Sequence, residues 1–285
     1  MGQKMKYGVS TWLWQSPFTT ESIALFPKIR SMGFDVVEIP VEDPALINVE
    51  VVKKALDDNG LEPTLCIVFG DDKDLTSNDA SKYQNCFMHA EKCFLLAAHL
   101  GVNFVAGPLY AAVGKARLAP AAEKKAEWGR AVSNLRTLSG IAKNHGLDIA
   151  LEPLNRFESD LINTADDVVR LLDDINEENM KIILDGFHMT IEEQDIRKAI
   201  NTAGDRLVHV QVSENHRGIP GTGLTPWEDF VKGLQDVKYQ GALVIESFTP
   251  EIPELAAAVN IWKKLATTQD AFAEEGLKFL RNTFK

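Results

Sequence analysis

Eight short aliphatic runs alternate with stretches of helical period from one end of the chain to the other, and that rhythm leaves few folds open. The runs are KYGVSTWLW, FDVVEIPV, LEPTLCIVF, VNFVAGPLY, LDIALEPLN, MKIILDGFHM, RLVHVQVSE and GALVIESF. Between them lie amphipathic segments such as TESIALFPKIRSMG, SKYQNCFMHAEKCFLLAAHLG and TADDVVRLLDDIN. Several begin on Thr or Ser and close on Gly just before the next run, the caps an alternating β/α chain needs. No Pro/Gly/Ser-rich linker divides the 285 residues. The expected fold is therefore α/β: a single-domain (β/α)8 TIM barrel over residues 1–285, since such barrels take about 250 residues plus insertions. An open nucleotide-binding sheet is disfavoured, because neither GxGxxG nor GxxxxGK[ST] follows any strand. The last helical stretch, PELAAAVNIWKKLATTQDAFAEEGLKFLRNTFK, is longer than closure requires. It is expected to break in two, with residues 265–285 a C-terminal extension that covers a subunit interface or a neighbouring barrel.

Charge and cysteine usage narrow the function. A formal charge of -11, with Lys and Arg scattered through helical stretches, argues against a nucleic-acid partner. Cys66, Cys86 and Cys93 are odd in number and lie in apolar segments, so reduced, mostly buried thiols and a cytoplasmic location are expected. MGQKMKYGVSTWLW has no long apolar core ahead of a small-residue cleavage site, and no later segment reaches transmembrane length. No membrane partner is expected.

In a barrel strand, alternate side chains point to the interior. On that rule the fifth strand turns Ala150 and Glu152 inward, the sixth Ile183 and Asp185, and the eighth Val244 and Glu246. The seventh sends Val208, Val210 and Val212 outward and leaves His209, Gln211 and Ser213 inside. Glu152, Asp185, Gln211 and Glu246 thus converge at the C-terminal mouth, where barrel active sites sit. Three buried carboxylates aimed at one point repel one another unless a divalent cation joins them. A metal site is the expectation; separate ion pairs at the rim are the alternative.

At these residues the chain resembles the ketose 3-epimerase group, the D-tagatose and D-psicose 3-epimerases of the xylose-isomerase-like TIM barrels. STWLWQSP, GDDKDLTS, GPLYAAVGK, LEPLNRFESD, LDGFHM and SENHRGIPGTG carry the likeness over nearly the whole chain, the last three most specifically. The resemblance implies metal ligands at Glu152, Asp185, Gln211 and Glu246, and substrate contacts at Glu158, His188 and Arg217. It also implies a sugar substrate and a homodimer or homotetramer. Position 211 departs from the group, which usually has His there; hydroxypyruvate isomerases are similar to this chain in having Gln. An all-oxygen set suits Mn²⁺ first, with Mg²⁺ or Co²⁺ supporting some activity, rather than Zn²⁺.

The expected reaction is C3 epimerisation of a free ketose, with Glu152 and Glu246 as catalytic base and acid on opposite faces of the substrate carbon. STWLW and GPLYAAVG supply Trp12, Trp14 and Tyr110; Trp14 and Tyr110 are expected to contact the sugar as aromatic platforms, Trp14 foremost, and Cys66 to line the pocket. His209 is expected one layer below Gln211, and Glu38 either binds substrate, supports the metal shell or forms a rim ion pair. Isomerisation of hydroxypyruvate, elimination from a 3-keto sugar or inosose, and a non-catalytic sugar-binding barrel remain open.

Overall fold

The computed structural model describes residues 5–285. The first four residues of the N-terminal stretch, read above for a leader, lie outside the described residues. Eight parallel strands close into a barrel in sequence order: β1 (Lys6–Ser10), β2 (Val36–Pro40), β3 (Glu62–Cys66), β4 (Phe104–Gly107), β5 (Asp148–Leu151), β6 (Met180–Asp185), β7 (Leu207–Val212) and β8 (Ala242–Ile245). Closure is parallel, with Val9 opposite Ile245. Each expected aliphatic run contains one of these strands, shorter than the run because its C-terminal residues leave the ladder to form the mouth.

Helices cover the outside. Phe26–Met32, Val49–Asn59 and Ala80–Leu100 each end on a glycine with a left-handed backbone, where the missing Cβ removes the steric penalty. Ala165–Ile175 starts from a Thr164–Asp167 capping box, which satisfies two otherwise unpaired N–H groups. Among the described residues no helix is long and apolar enough to cross a membrane. All three cysteines are free and buried.

The main core lies between sheet and helices. Ile149, Leu151, Ile182, Leu184, Val210, Leu243 and Ile245 are buried there, as alternation predicts. Inside the barrel a small layer of Ala106, Ala150 and Ile183 supports the mouth. Val208 corrects the expected pattern. Ile182 pairs with Leu207 and Ile183 with His209, so Val208 is an extra residue in a β-bulge and packs on that interior layer instead of outward.

The final stretch breaks into Pro253–Ala258 and Gln269–Thr283. The second piece falls within the expected extension, yet it buries Phe272, Ala273, Leu277 and Leu280. A Cβ on its Gly276 would lie 2.8 Å from Ile245 of β8. It therefore belongs to the barrel's helical layer. The first piece turns over the mouth.

Candidate active site

Each acidic residue owes its position to the end of a strand. Glu152 and Glu246 follow β5 and β8 by one residue, and both still donate ladder hydrogen bonds, Glu152 N–H to Gly107 O at 3.2 Å and Glu246 N–H to Val212 O at 3.1 Å. Asp185 ends β6 and caps the short helix Gly186–Glu192 by accepting from the Phe187 N–H at 2.9 Å. Gln211 lies on β7 opposite Asp185 and Val244. All four expected residues are buried on the interior face. Glu152 and Glu246 line a cavity of about 530 Å³ at the C-terminal ends of the strands, and Asp185 and Gln211 lie buried beside them.

Gln211 is held by its amide nitrogen. Nε2 donates to Glu38 Oε1 at 2.7 Å and to Glu246 Oε1 at 2.9 Å. Its Oε1, fully buried, has no hydrogen-bond partner among the described residues. Arg217 joins two of the acids, donating from Nη1 to Asp185 Oδ2 at 2.5 Å and to Glu246 Oε2 at 2.9 Å. Its guanidinium lies 4.1 Å from the Phe187 ring centroid and 5.2 Å from that of Phe248, a cation–π clamp. Arg217 has φ 60°, a left-handed backbone that a non-glycine residue holds only when its surroundings impose it. Glu214 imposes it: its carbonyl accepts from Arg217 N–H, and its carboxylate accepts from Gly221 N–H and Trp227 Nε1, both at 2.7 Å.

His188 stands on the helix after β6, not on the strand. The Asn155 N–H and Nδ2 both point at its Nδ1, at 3.1 and 2.9 Å, and the Arg217 Nη2 lies 3.3 Å from its Nε2. Nε2 lies 3.6 Å from Glu152 Oε1 and 3.8 Å from Asp185 Oδ2. Asn155 also donates to Glu158 Oε1 at 2.8 Å. Sequence reasoning missed Asn155, whose only signal is its place in LEPLNRFESD between Glu152 and Glu158.

Burial sets the electrostatics. Desolvation first, then the Glu246 and Asp185 charges, push the Glu152 carboxyl well above the usual carboxylate range. Desolvation does the same to Glu246 against the pull of Arg217, and Asp185 is raised as well. Burial and the Arg217 charge hold His188 well below its ordinary value, as a neutral ring. Glu152, Asp185 and His188 each bring one ligand-type atom within 4.8 Å of the others, and a buried acidic group of this kind can hold a metal ion.

The remaining expected contacts divide. Cys66 lines the cavity beside Trp12, Glu158 and Phe248. Trp14 does not: its Nε1 donates to Asp270 Oδ1 at 2.7 Å, and Lys28 Nζ sits 4.8 Å over its ring. The chain leaves β1 at Ser10 into a 3-10 turn, Thr11–Leu13, so strand alternation no longer applies and Trp12 takes the cavity face. Trp12 Nε1 donates to Glu42 Oε1 at 2.7 Å. Tyr110 is likewise corrected. β4 ends on Gly107 at φ 134°, and the turned chain buries Tyr110 in the main core. His209 lies below Gln211 as expected and bonds Glu38 at 2.6 Å. Also missed were Glu42 and the Pro253–Ala258 segment, whose Leu255 and Ala258 wall the cavity.

A family model described as xylose isomerase-like TIM barrel matches residues 26–283. The chain is 31% identical to the ketose 3-epimerase of Arthrobacter globiformis, over 98% of this chain and 96% of that one. It is 28% identical to the D-psicose 3-epimerase of Agrobacterium fabrum, over 93% of each. Among solved structures it resembles the D-allulose 3-epimerase of Methylomonas sp., with TM-score 0.92 and 29% identity over 99% of this chain and 100% of that one.

Proposed function

The chain belongs to the xylose isomerase-like TIM barrel family, and on that premise we propose that it is a divalent-metal-dependent ketose 3-epimerase acting on a free sugar. The observation that carries this reading is the unpartnered Gln211 Oε1 on the interior face it shares with Glu152, Asp185 and Glu246. A buried acceptor left without a donor costs about 1–3 kcal/mol, and mutually repelling buried carboxylates add to that. A cation ligated by all four relieves both. Four oxygen donors suit Mn²⁺ first, then Mg²⁺ or Co²⁺, over Zn²⁺. His188 stands outside the set, because its Nε2 faces the Arg217 guanidinium at 3.3 Å.

Bound there, the cation supplies electrophilic stabilisation of the negative charge that develops on the substrate oxygens. Glu152 and Glu246 reach in from β5 and β8. One removes the C3 proton on one face of the ketose; the other returns a proton on the opposite face. Glu152 accepts no side-chain hydrogen bond among the described residues, which leaves its lone pairs available. The clamped Arg217 guanidinium is the donor for substrate oxygens, His188 contacts them beside it, and Glu158 orients the sugar beside Asn155.

The cavity's charge favours a neutral substrate. Glu42, Glu152, Glu158, Glu246 and Glu254 line it against Arg217 and His188, and Arg217 is already bonded to two carboxylates. Hydroxypyruvate and sugar phosphates would bring another anion into that field. A passive sugar-binding barrel has no use for a strained Arg217 and a cluster of repelling buried acids. Its buried free cysteines support a cytoplasmic location, and family resemblance supports a homodimer or homotetramer.

Incubation with free ketoses and Mn²⁺ in D₂O, followed by NMR, tests the reading. Deuterium at C3 together with accumulation of the epimer is expected, and both should stop on chelation of the metal. Turnover of a 3-keto sugar with none of any ketose overturns it. A second measurement concerns the aromatic wall: Trp12→Ala should raise KM for the ketose about tenfold by removing an apolar sugar-facing surface. Trp14→Phe should leave KM unchanged and cost about 1 kcal/mol of stability with the Asp270 bond. A KM effect confined to Trp14 would reverse the assignment.

A further inference from the structure

We infer that Glu38, on β2 beneath the cavity, is a positioning residue that fixes which end of the Gln211 amide faces the metal. The inference rests on the proposed role of Gln211 as an oxygen ligand. A glutamine amide has a donor end and an acceptor end of nearly the same shape, so an amide ligand binds a cation only if something outside the site selects its orientation. Here both N–H groups of Nε2 are used, one on Glu38 Oε1 at 2.7 Å and one on Glu246 Oε1 at 2.9 Å. Reversing the amide would set its carbonyl oxygen against two carboxylate oxygens. The oxygen is therefore turned away from both carboxylates and has no hydrogen-bond partner among the described residues.

The two acceptors are not equivalent. Glu246 lines the cavity and is itself proposed to ligate the cation, so its oxygens are shared between the metal, Arg217 and the amide. Glu38 is fully buried and, among the described residues, its side chain serves only as an acceptor for Gln211 and His209. Its second oxygen, Oε2, lies 2.6 Å from His209 Nε2, and the His209 ring packs 5.3 Å from that of Phe104. Glu38 thus takes one N–H from each of two residues on β7, which locks its own rotamer. Outer-shell partners of this kind orient ligands that would otherwise reorganise.

Calorimetric titration of the metal-free protein with Mn²⁺, without substrate, tests the inference. Glu38→Asp keeps the carboxylate but withdraws it by one methylene, and it should weaken Mn²⁺ about 10–100-fold with the melting transition retained. Glu38→Gln should stay within about threefold, because His209 can exchange its ring proton and leave the new carbonyl oxygen on Gln211. In a Gln211→Ala background neither substitution at position 38 should weaken Mn²⁺ further. Wild-type affinity in folded Glu38→Asp overturns the inference. So does an equal loss in both backgrounds, which would mean that Glu38 acts through its charge alone. If Gln211→Ala by itself leaves Mn²⁺ affinity unchanged, the ligand reading of Gln211 fails first, and that outcome is visible separately.

Discussion

Glutamine in place of Glu152, or of Glu246, is expected to lower kcat for C3 epimerisation by about 10³-fold or more while leaving the fold intact. Either substitution keeps the side chain's shape and one oxygen acceptor but removes the ability to carry a proton. The double variant should be little slower than either single one, because epimerisation stops as soon as one of its two proton transfers is missing. A more specific consequence separates two bases from one. Each single variant retains the carboxylate on one face, so it should still exchange solvent deuterium into C3 of the epimer whose proton points to that face, without forming the other epimer. The surviving exchange should switch epimers between Glu152→Gln and Glu246→Gln. Normal turnover in either variant refutes the scheme. Mn²⁺ titration of the same samples identifies any loss that comes from weaker metal binding.

Those two residues were legible in the sequence because they lie within one residue of a strand, where side chains alternate with a fixed period of two. The same rule reached Asp185 and Gln211, and the eight aliphatic runs sufficed for the barrel. It failed where the backbone stopped being a strand. Past Ser10 the chain enters a 3-10 turn, and of the two tryptophans it is Trp12, not the favoured Trp14, that meets the cavity. Past Gly107 the positive φ sends Tyr110 into the core. At Val208 a bulge inserts a residue that no aliphatic pattern reveals, since valine suits either face. Loop-borne residues such as Asn155 and Glu42 act through hydrogen bonds to His188 and Trp12, partners distant in sequence. Local patterns carry no information about such pairs. Arg217 was reached by resemblance, but its clamp between Phe187 and Phe248 exists only once β6, β7 and β8 close.

The largest structural effect is expected at Gly107, the residue that ends β4 beside the site. Two independent penalties meet there. Its φ of 134° belongs to a region that side chains rarely adopt, and a Cβ would fall 2.1 Å from Ile67 O, closer than any real contact. A strained backbone costs about 1–3 kcal/mol and forced overpacking about as much again. Gly107→Ala should therefore destabilise the protein by about 2–6 kcal/mol, a large part of a typical domain's stability, and lower Tm by about 3–10 °C. Gly101→Ala supplies the control: its φ is 78°, and nothing lies within 4 Å of the added Cβ. Only the backbone term operates there, so the loss should be about 1 kcal/mol. Catalysis should suffer at Gly107 as well, since its carbonyl accepts the Glu152 N–H and relief of the clash moves β4 against β3. At temperatures where Gly107→Ala remains folded, its kcat should fall while that of Gly101→Ala does not. Equal melting temperatures for the two variants would mean that the close approach of β4 to Ile67 is absent in solution.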